Sequence, residues 1–266
     1  TVLINTGGFD DAELQAIEDR AYELGSAKHA NLTILDKYYD KAIKYLIFGN
    51  VLKNNTYPLS VSAERVFQAI EAIKYAKSIG ATAIAHGSTG AGNDQIRFDL
   101  IFQTIAPEIE IITPIRDLKL SRQEEVDYLA KNGVHYSWEK AQYSINKGLW
   151  GTSIGGKETL NAKLPLPNEA YPSQLTKEGE EKVTLEFLKG ELVAVNGVAD
   201  KPSNNIVVLE KLASAYAIGR DIHVGDTIIG IKGRVGFEAA APLIIIKAHH
   251  LLEKHTLGKW QQYWKE

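Results

Sequence analysis

Residues 83–98 read A-I-A-H-G-S-T-G-A-G-N-D-Q-I-R-F, and this stretch constrains the fold more than any other. An apolar run at 82–85 predicts a buried strand, three glycines between 87 and 92 predict a turn, and 94–105 has helical apolar spacing. A strand that turns through glycines into a helix brings backbone N–H groups and the positive end of the helix dipole together. Polar side chains crowd the same stretch: His86, Ser88, Thr89, Asn93, Asp94 and Arg97. We therefore predict a site for a small polar ligand, although the spacing alone also fits a plain turn with Asn93 or Asp94 as the helix cap.

Strands and helices alternate through the first half of the chain. Strands are predicted over 1–5, 31–35, 82–85 and 110–114. Helices are predicted over 12–24, 39–49, 63–79, 94–105 and 121–132. Asp10 or Asp11 is predicted to cap the first helix. This alternation predicts an α/β fold, a parallel sheet with helices on both faces. Ligands of such sheets bind beyond the carboxyl ends of the strands, which here are the loops at 5–10 and 86–93.

The pattern changes after Val134, and we predict a domain boundary there, with domains at 1–134 and 135–266. The second domain is predicted to be α+β. Its elements are a loop or arm over 148–166, a hairpin of strands 182–187 and 191–196, a helix over 206–216, a strand over 227–232 and a helix over 238–257.

Composition excludes several classes of protein. The net charge of −3 indicates no nucleic-acid partner, and no apolar run is long enough for a membrane span. The absence of cysteine excludes disulfides and thiolate metal sites and is typical of cytoplasmic proteins. Because the chain has no methionine and begins inside a predicted strand, we expect it to be a piece of a longer polypeptide.

The string H-G-S-T-G-A-G-N-D-Q-I-R-F at 86–98 resembles the substrate loop of the argininosuccinate synthase family, whose pattern is close to H-G-x-T-G-x-G-N-D-Q-x-R-F. Four further strings resemble segments of the same family: K-N-N-T-Y-P-L-S-V-S-A-E-R, Y-S-I-N-K-G-L-W-G-T-S, A-Y-A-I-G-R-D-I and I-I-G-I-K-G-R-V-G-F-E-A. The resemblance thus extends over nearly the whole chain.

The resemblance implies an adenine-nucleotide α-hydrolase-like domain followed by a synthetase and oligomerisation domain. It implies an AMP-forming carbon–nitrogen ligase of arginine biosynthesis and the urea cycle. Such an enzyme joins citrulline to aspartate through a citrullyl-adenylate, with release of pyrophosphate. It further implies ATP with Mg²⁺, a cytoplasmic homotetramer, and neither a nucleic acid nor a membrane as partner. The chemistry needs no covalent enzyme intermediate, so we expect no catalytic side-chain nucleophile and no metal site of the protein's own.

The resemblance also assigns residues, position by position. It implies that aspartate is bound by Thr89, Asn93 and Asp94. It implies that citrulline is bound by Tyr57, Ser62, Asn93, Arg97, Ser144 and Ser153, and ATP by Asn5 and Gly87.

Most of these residues also have an ordinary structural explanation. Ser62 is suited to capping a helix, Tyr57 to packing, and Arg97 to a solvated helix face. We interpret His86 as a residue that orients the loop rather than one that transfers a proton. The pair His249–His250 lies on an apolar helix, where packing is a better explanation than metal binding.

The chain also departs from the family pattern. No stretch resembles the family's S-G-G-L-D-T-S phosphate loop, and the C-terminal extension is absent, so we expect an internal piece of a chain of roughly 400 residues that is inactive alone. Gly225, with Asp226 beside it, stands where the family usually has a glutamate that contacts citrulline, and Phe237 stands where the family has a tyrosine. Either the loss of these groups weakens citrulline binding, or Asp226 takes the place of the glutamate.

Two other functions remain open at this stage. One is a non-catalytic fragment that binds a nucleotide or an amino acid, which the missing phosphate loop favours. The other is a different ATP-pyrophosphatase of the same fold, such as a tRNA-thiolating or amide-forming relative. That alternative predicts catalytic cysteines or a basic RNA-binding face, and the chain has neither cysteine nor a positive net charge.

Overall fold

A computed structural model describes residues 1–90, 92–134 and 143–266 of the chain. The first half contains four short strands, which are β1 (Val2–Asn5), β2 (Ala30–Thr33), β3 (Ala83–Ala85) and β4 (Glu110–Ile112). β1 pairs with β2 and β3 pairs with β4, and both pairs are parallel as predicted. Within the described residues no ladder hydrogen bond joins one pair to the other.

Helices separate these strands and confirm the predicted alternation. They are α1 (Asp11–Glu23), α2 (Leu35–Tyr38), α3 (Lys44–Phe48), α4 (Ser62–Ser78), α5 (Asp94–Ile105), α6 (Pro114–Asp117) and α7 (Arg122–Lys131). A π-helical turn, Tyr39–Ile43, joins α2 to α3 and makes one continuous helical run. Asp10 caps α1 and Ser121 caps α7, each through a reciprocal capping box that satisfies free N–H groups of the first turn.

Helix α4 connects the two strand pairs because it packs on both β1 and β3 and lies against α5. Apolar side chains fill the space between α4, α5 and the pair β3–β4: Ala69, Ile73, Ala76, Phe102, Ala106 and Ile109. This packing fixes the starts of α4 and α5 next to each other, and that placement positions the site described below.

The second half is built on antiparallel strands. A four-stranded sheet has the order β10–β11–β6–β5, from β5 (Ser144–Gly148), β6 (Gly151–Gly155), β10 (Arg220–Asp226) and β11 (Lys232–Glu238). A three-stranded sheet contains β7 (Leu185–Leu188), β8 (Glu191–Val195) and β9 (Val198–Ala199). The helices are α8 (Pro202–Ser214), α9 (Ala240–Thr256) and α10 (Lys259–Lys265). The predicted hairpin is confirmed, with its turn at Lys189 and Gly190, both at positive φ.

Two predictions for this half are wrong. The segment 148–166, predicted as a loop or arm, contains strand β6, which is buried along most of its length between β5 and β11. A strand enclosed on both sides shows no polar–apolar alternation, and the glycine and small polar residues of β6 lack the usual strand signal. The strand predicted over 227–232 is instead a turn between β10 and β11, in which the Gly230 N–H donates to the Thr227 carbonyl at 2.9 Å. Its isoleucines misled the prediction, because they are exposed to solvent.

One apolar core joins the two halves. Its buried members come from the α2–α3 run, the β5–β6 turn, β8, α8 and α9: Tyr38, Tyr39, Ile43, Ile47, Leu149, Trp150, Leu192, Val195, Ile206, Leu209, Ala241, Ile245 and Ile246. The Trp150 ring is fully buried, and its Nε1 donates a hydrogen bond of 2.9 Å to the Pro58 carbonyl. None of the helices in the described parts of the chain combines the length and the apolarity needed to cross a membrane.

Candidate functional site

A cleft of about 530 Å³ lies where α4 and α5 begin and where both meet the four-stranded sheet; we call it the central cleft. Its lining includes six of the residues singled out from the sequence, which are Tyr57, Ser62, Asn93, Asp94, Arg97 and Ser153. The rest of its lining comes from Lys53, Val61, Asn146, His223, Gly225, Asp226, Thr227, Ile228, Gly233, Arg234 and Val235. The cleft is therefore built by both halves of the chain.

The carboxylate of Asp94 is the centre of a charged network in this cleft. Its Oδ1 accepts from Nη1 of Arg97 at 2.9 Å, and its Oδ2 accepts from Nε of Arg65 at 3.2 Å. Nη2 of Arg97 also donates to Oγ of Ser62 at 3.4 Å. Charge-assisted bonds of this kind fix the orientation of both guanidinium groups. Arg97 is thus not a solvated helix residue.

The capping explanations for Asn93 and Ser62 do not hold. Asn93 precedes α5 but makes no side-chain capping bond; its Oδ1 accepts from the backbone N–H of Ile228 at 2.7 Å. Ser62 is the first residue of α4, and its hydroxyl faces Arg97. Asn93 therefore links the glycine loop to the β10–β11 turn.

The sheet wall of the cleft is formed by β5 and β6. Asn146 accepts a hydrogen bond from Arg65 and faces Ser153, whose Oγ is 3.5 Å from Nδ2 of Asn146. Ser153 is buried and pairs with Phe237 on β11. Ser144 lies two residues before Asn146 on β5, is exposed, and does not line the cleft.

Stacked rings form another part of the cleft surface. The imidazole of His223 stacks on Tyr57 at a centroid distance of 5.0 Å, and Tyr57 packs on Phe237 at 5.2 Å. Tyr57 is buried, and its hydroxyl oxygen accepts from the Val61 N–H at 3.2 Å. Burial raises the pKa of Tyr57, and burial together with the charge of Lys53 lowers the pKa of His223. Both effects on His223 favour the neutral form of its ring.

His86, which we interpreted as a residue that orients the glycine loop, makes contacts on both of its ring nitrogens. Nε2 of His86 lies 3.0 Å from Oδ1 of Asp99, and its Nδ1 accepts from the Ser88 N–H at 3.3 Å. Arg116 pairs with the other oxygen of Asp99 at 2.5 Å. Burial opposes ionisation of Asp99, but the bonds from His86 and Arg116 hold the pKa of its carboxyl below the usual value.

Three residues predicted for the site lie outside the lining of the central cleft, in addition to Ser144. Gly87 and Thr89 are on the glycine loop, whose Ala91 falls outside the described residues. Asn5 ends β1 and lines a second cleft of about 550 Å³, which also contains Lys147 and Gly148. Neither residue expected to bind ATP, Asn5 or Gly87, thus lines the central cleft.

Glu64 is buried where these regions meet. Its Oε1 accepts from the Thr6 hydroxyl at 2.8 Å and lies 3.7 Å from Nη1 of Arg65. Its Oε2 is enclosed without a hydrogen-bond partner and presses on the backbone of Gly148, where a Cβ would lie 2.2 Å away. Burial raises the pKa of Glu64 to about 7, although Arg65 opposes the shift. The carboxyl therefore titrates near neutrality.

Sequence reasoning missed four of the residues that shape this region: Glu64, Arg65, Asn146 and His223. Arg65 and Asn146 lie inside strings that resemble the family, so the strings contained a signal for them. Glu64 lies in the same string as Arg65, but nothing in the string indicated that its carboxyl is buried. His223 lies outside all the strings, and only the fold brings it next to Tyr57, which is 166 positions earlier in the chain.

The fold and the cleft define an α/β protein with a polar cleft between its glycine-loop half and its second, antiparallel half. Residues 1–135 match the family model described as the arginosuccinate synthase N-terminal HUP domain, and residues 143–266 match the arginosuccinate synthase C-terminal domain. The chain belongs to the argininosuccinate synthase family. The family resemblance and the fold class that we expected from the sequence are thereby confirmed.

Curated relatives give the same result. The chain is 37% identical to the argininosuccinate synthase of Sulfolobus acidocaldarius over 96% of this chain and 65% of the relative. It is 37% identical to that of Pyrococcus furiosus, over 98% of this chain and 63% of the relative. It is 35% identical to that of Methanocaldococcus jannaschii, over 97% of this chain and 66% of the relative. The chain therefore spans slightly less than two thirds of the length of these relatives.

Proposed function

We propose that the protein catalyses the ATP-dependent ligation of citrulline and aspartate to argininosuccinate, with release of AMP and pyrophosphate. The observation that carries this proposal is the Arg65–Asp94–Arg97 network, which shares one cleft with Ser62, Asn93 and Ser153. Two guanidinium groups and a ring of neutral donors suit ligands that carry carboxylates and a ureido group. Membership of the family and the names of its relatives support the same reaction.

The proposed chemistry balances without an enzyme nucleophile. The ureido oxygen of citrulline attacks the α-phosphorus of ATP, and pyrophosphate leaves. The amine of aspartate, after losing a proton, then attacks the ureido carbon, and AMP leaves with the former ureido oxygen. The cleft contributes by positioning the reactants and stabilising charge.

We assign the roles as follows. Thr89, Asn93 and Asp94 bind aspartate; Tyr57, Ser62, Asn93, Arg97, Ser144 and Ser153 bind citrulline; Asn5 and Gly87 bind ATP. The placement of Tyr57, Ser62, Asn93, Asp94, Arg97 and Ser153 around one cleft supports the first two groups. For Ser144, Gly87, Thr89 and Asn5 the support is the match to the family pattern.

We further infer a nucleotide-binding domain at 1–134 and a synthetase and oligomerisation domain at 135–266; residues 135–142 lie outside the described residues. Mg²⁺ would accompany the phosphates of ATP. Among residues 1–90, 92–134 and 143–266, no group of three or more His, Cys, Asp or Glu side chains is placed to hold a metal ion. Assembly as a homotetramer and a place in the cytoplasm follow from the resemblance to the family.

The test is AMP formation by the full-length protein supplied with ATP, Mg²⁺, citrulline and aspartate. We expect one AMP for each argininosuccinate, and no AMP when citrulline is omitted. The variant Asp94→Asn should lower kcat/KM for aspartate by about a hundredfold, because it removes the charge at the centre of the network. AMP formation in the absence of any ureido compound would contradict the proposal.

A further inference from the structure

The anionic groups of the central cleft are already paired with cations of the chain. Two carboxylates line the cleft among the described residues, Asp94 and Asp226. Arg65 and Arg97 occupy both oxygens of Asp94, which we assign to the binding of aspartate. Oδ1 of Asp226 lies 2.6 Å from Nζ of Lys232. No unpaired carboxylate of the described lining remains for the ammonium group of a second amino acid.

Asp226 is also poorly placed to act in place of a charged side chain at position 225. Successive residues of a strand point to opposite faces, so Asp226 projects away from the face that His223 and Gly225 share. Its side chain is 59% exposed, and its partner Lys232 is its direct neighbour across the β10–β11 ladder. The carboxylate thus belongs to the rim of the cleft.

The position next to Gly225 is filled by a ring. A Cβ on Gly225 would lie only 2.5 Å from Nε2 of His223, so the imidazole occupies the space that a side chain at 225 would need. His223 is 6% exposed, stacks on Tyr57, and its Nδ1 has no hydrogen-bond partner. The imidazole ring of His223 therefore stands where a side chain at position 225 would otherwise face the ligand.

The remaining charges of the lining are positive. Lys53 and Arg234 line the cleft in addition to Arg97, whose charge is already paired with Asp94. The guanidinium of Arg234 is fixed by backbone carbonyls, including that of Leu164 at 3.1 Å from Nη2. The charge of Lys53 acts on His223 and Asp226 together. This surface favours a ligand carboxylate and gives no compensation for a ligand ammonium.

We propose that His223 sets the substrate class of the central cleft, which accepts ω-ureido carboxylates without requiring an α-ammonium group. The inference rests on the proposed function, since it concerns the ureido substrate of that reaction. The amine of aspartate is compatible with it, because that amine must lose its proton before it attacks. A cleft that binds ammonium weakly does not hinder that step.

The first experiment compares citrulline with 5-ureidopentanoate, which differs from citrulline only by the missing amino group. The full-length protein is assayed with ATP, Mg²⁺ and aspartate, and kcat/KM is measured for each ureido compound from AMP release. We expect 5-ureidopentanoate to equal or exceed citrulline. A preference for citrulline of about tenfold or more would overturn the inference and leave the proposed function intact. AMP formation with neither compound would overturn the proposed function itself.

A matched pair of double variants tests the role of His223. In both, His223→Ala makes room for a side chain at 225; one adds Gly225→Glu and the other Gly225→Gln. Gly225 has no positive φ, so either substitution fits the strand. We expect the glutamate variant to favour citrulline by about tenfold relative to the glutamine variant, since only glutamate pairs with an ammonium. Equal ratios of kcat/KM for citrulline to kcat/KM for 5-ureidopentanoate in the two variants would overturn the inference. If neither variant folds, the comparison of the two ureido compounds with the wild-type protein decides the question.

Discussion

The two walls of the central cleft are held by different forces. The sheet wall, from β5 and β6, is continuous with the apolar core through the fully buried Trp150. The wall formed by the glycine loop and α5 rests on the smaller core around Phe102, and its polar side chains are oriented by two networks of charge, Arg65–Asp94–Arg97 and His86–Asp99–Arg116. Packed cores tolerate little displacement, whereas ion pairs orient groups without fixing a large volume. One wall therefore sets the shape of the cleft, and the other sets its charge.

Disruption of the sheet wall should have the largest effect on folding. Trp150→Ala removes a fully buried ring and the hydrogen bond from Nε1 to Pro58, so we expect unfolding free energy to fall by about 3–5 kcal/mol. Denaturant titration measures this loss. The control is Trp264→Ala, whose ring is 83% exposed and should change stability by less than about 0.5 kcal/mol. Similar values for the two variants would show that the wall is not part of the core.

Glu64 lies between the two walls, and its burial makes stability depend on pH. Its pKa is raised from 4.5 to about 7, so folding favours the protonated carboxyl. This contribution to the free energy of unfolding is fully present below the pKa that Glu64 has in the unfolded chain. It is lost as pH rises through about 7, the pKa of Glu64 in the folded chain. The loss amounts to roughly 3 kcal/mol.

Glu64→Gln should remove this part of the pH dependence, because the amide cannot ionise. Denaturant titrations between pH 5 and pH 8, values chosen to bracket the shift, measure how steeply the free energy of unfolding changes with pH. Glu178→Gln, at an exposed position, is the control and should keep the wild-type slope. An unchanged slope in Glu64→Gln would mean that another group is responsible.

The charged wall is tested by Arg97→Lys. Lysine keeps the charge but loses the planar fork that reaches Asp94 and Ser62, so we expect KM for the ureido substrate to rise about tenfold. Steady-state kinetics of the full-length protein measure it, with Arg20→Lys in an exposed ion pair as the control. An unaltered KM would mean that charge alone suffices on this wall.

The smallest effect is expected at the rim. Asp226→Asn breaks an exposed pair with Lys232, and such pairs contribute little, so we expect KM for citrulline and for aspartate to change less than about twofold. The same kinetic assay applies. A rise of KM confined to citrulline would instead support Asp226 as the group that takes the place of the family glutamate.

The sequence predicted the charged wall better than the packed one. Helix α5 was predicted with the bounds it has, because its glycine turn and apolar spacing are local signals. Strand β6 was missed because its neighbours β5 and β11, rather than its own composition, make it a strand. Ile228, Ile229 and Ile231 suggested a strand, yet the turn leaves all three exposed.

The site shows the same division. Asn93, Asp94 and Arg97 were found because they lie within one string. The contact of His223 with Tyr57 depends on the register of β10, which no local pattern in the sequence specifies. The buried carboxyl of Glu64 was equally hidden, because charged side chains on helices are usually exposed.

The central claim is that the cleft activates a ureido oxygen as an adenylate before aspartate attacks. It is tested most directly with citrulline labelled with ¹⁸O in its ureido group, incubated with the full-length protein, ATP, Mg²⁺ and aspartate. We predict that the label is recovered in the phosphate of AMP, because the ureido oxygen leaves with the nucleotide. AMP that forms without the label would contradict the account.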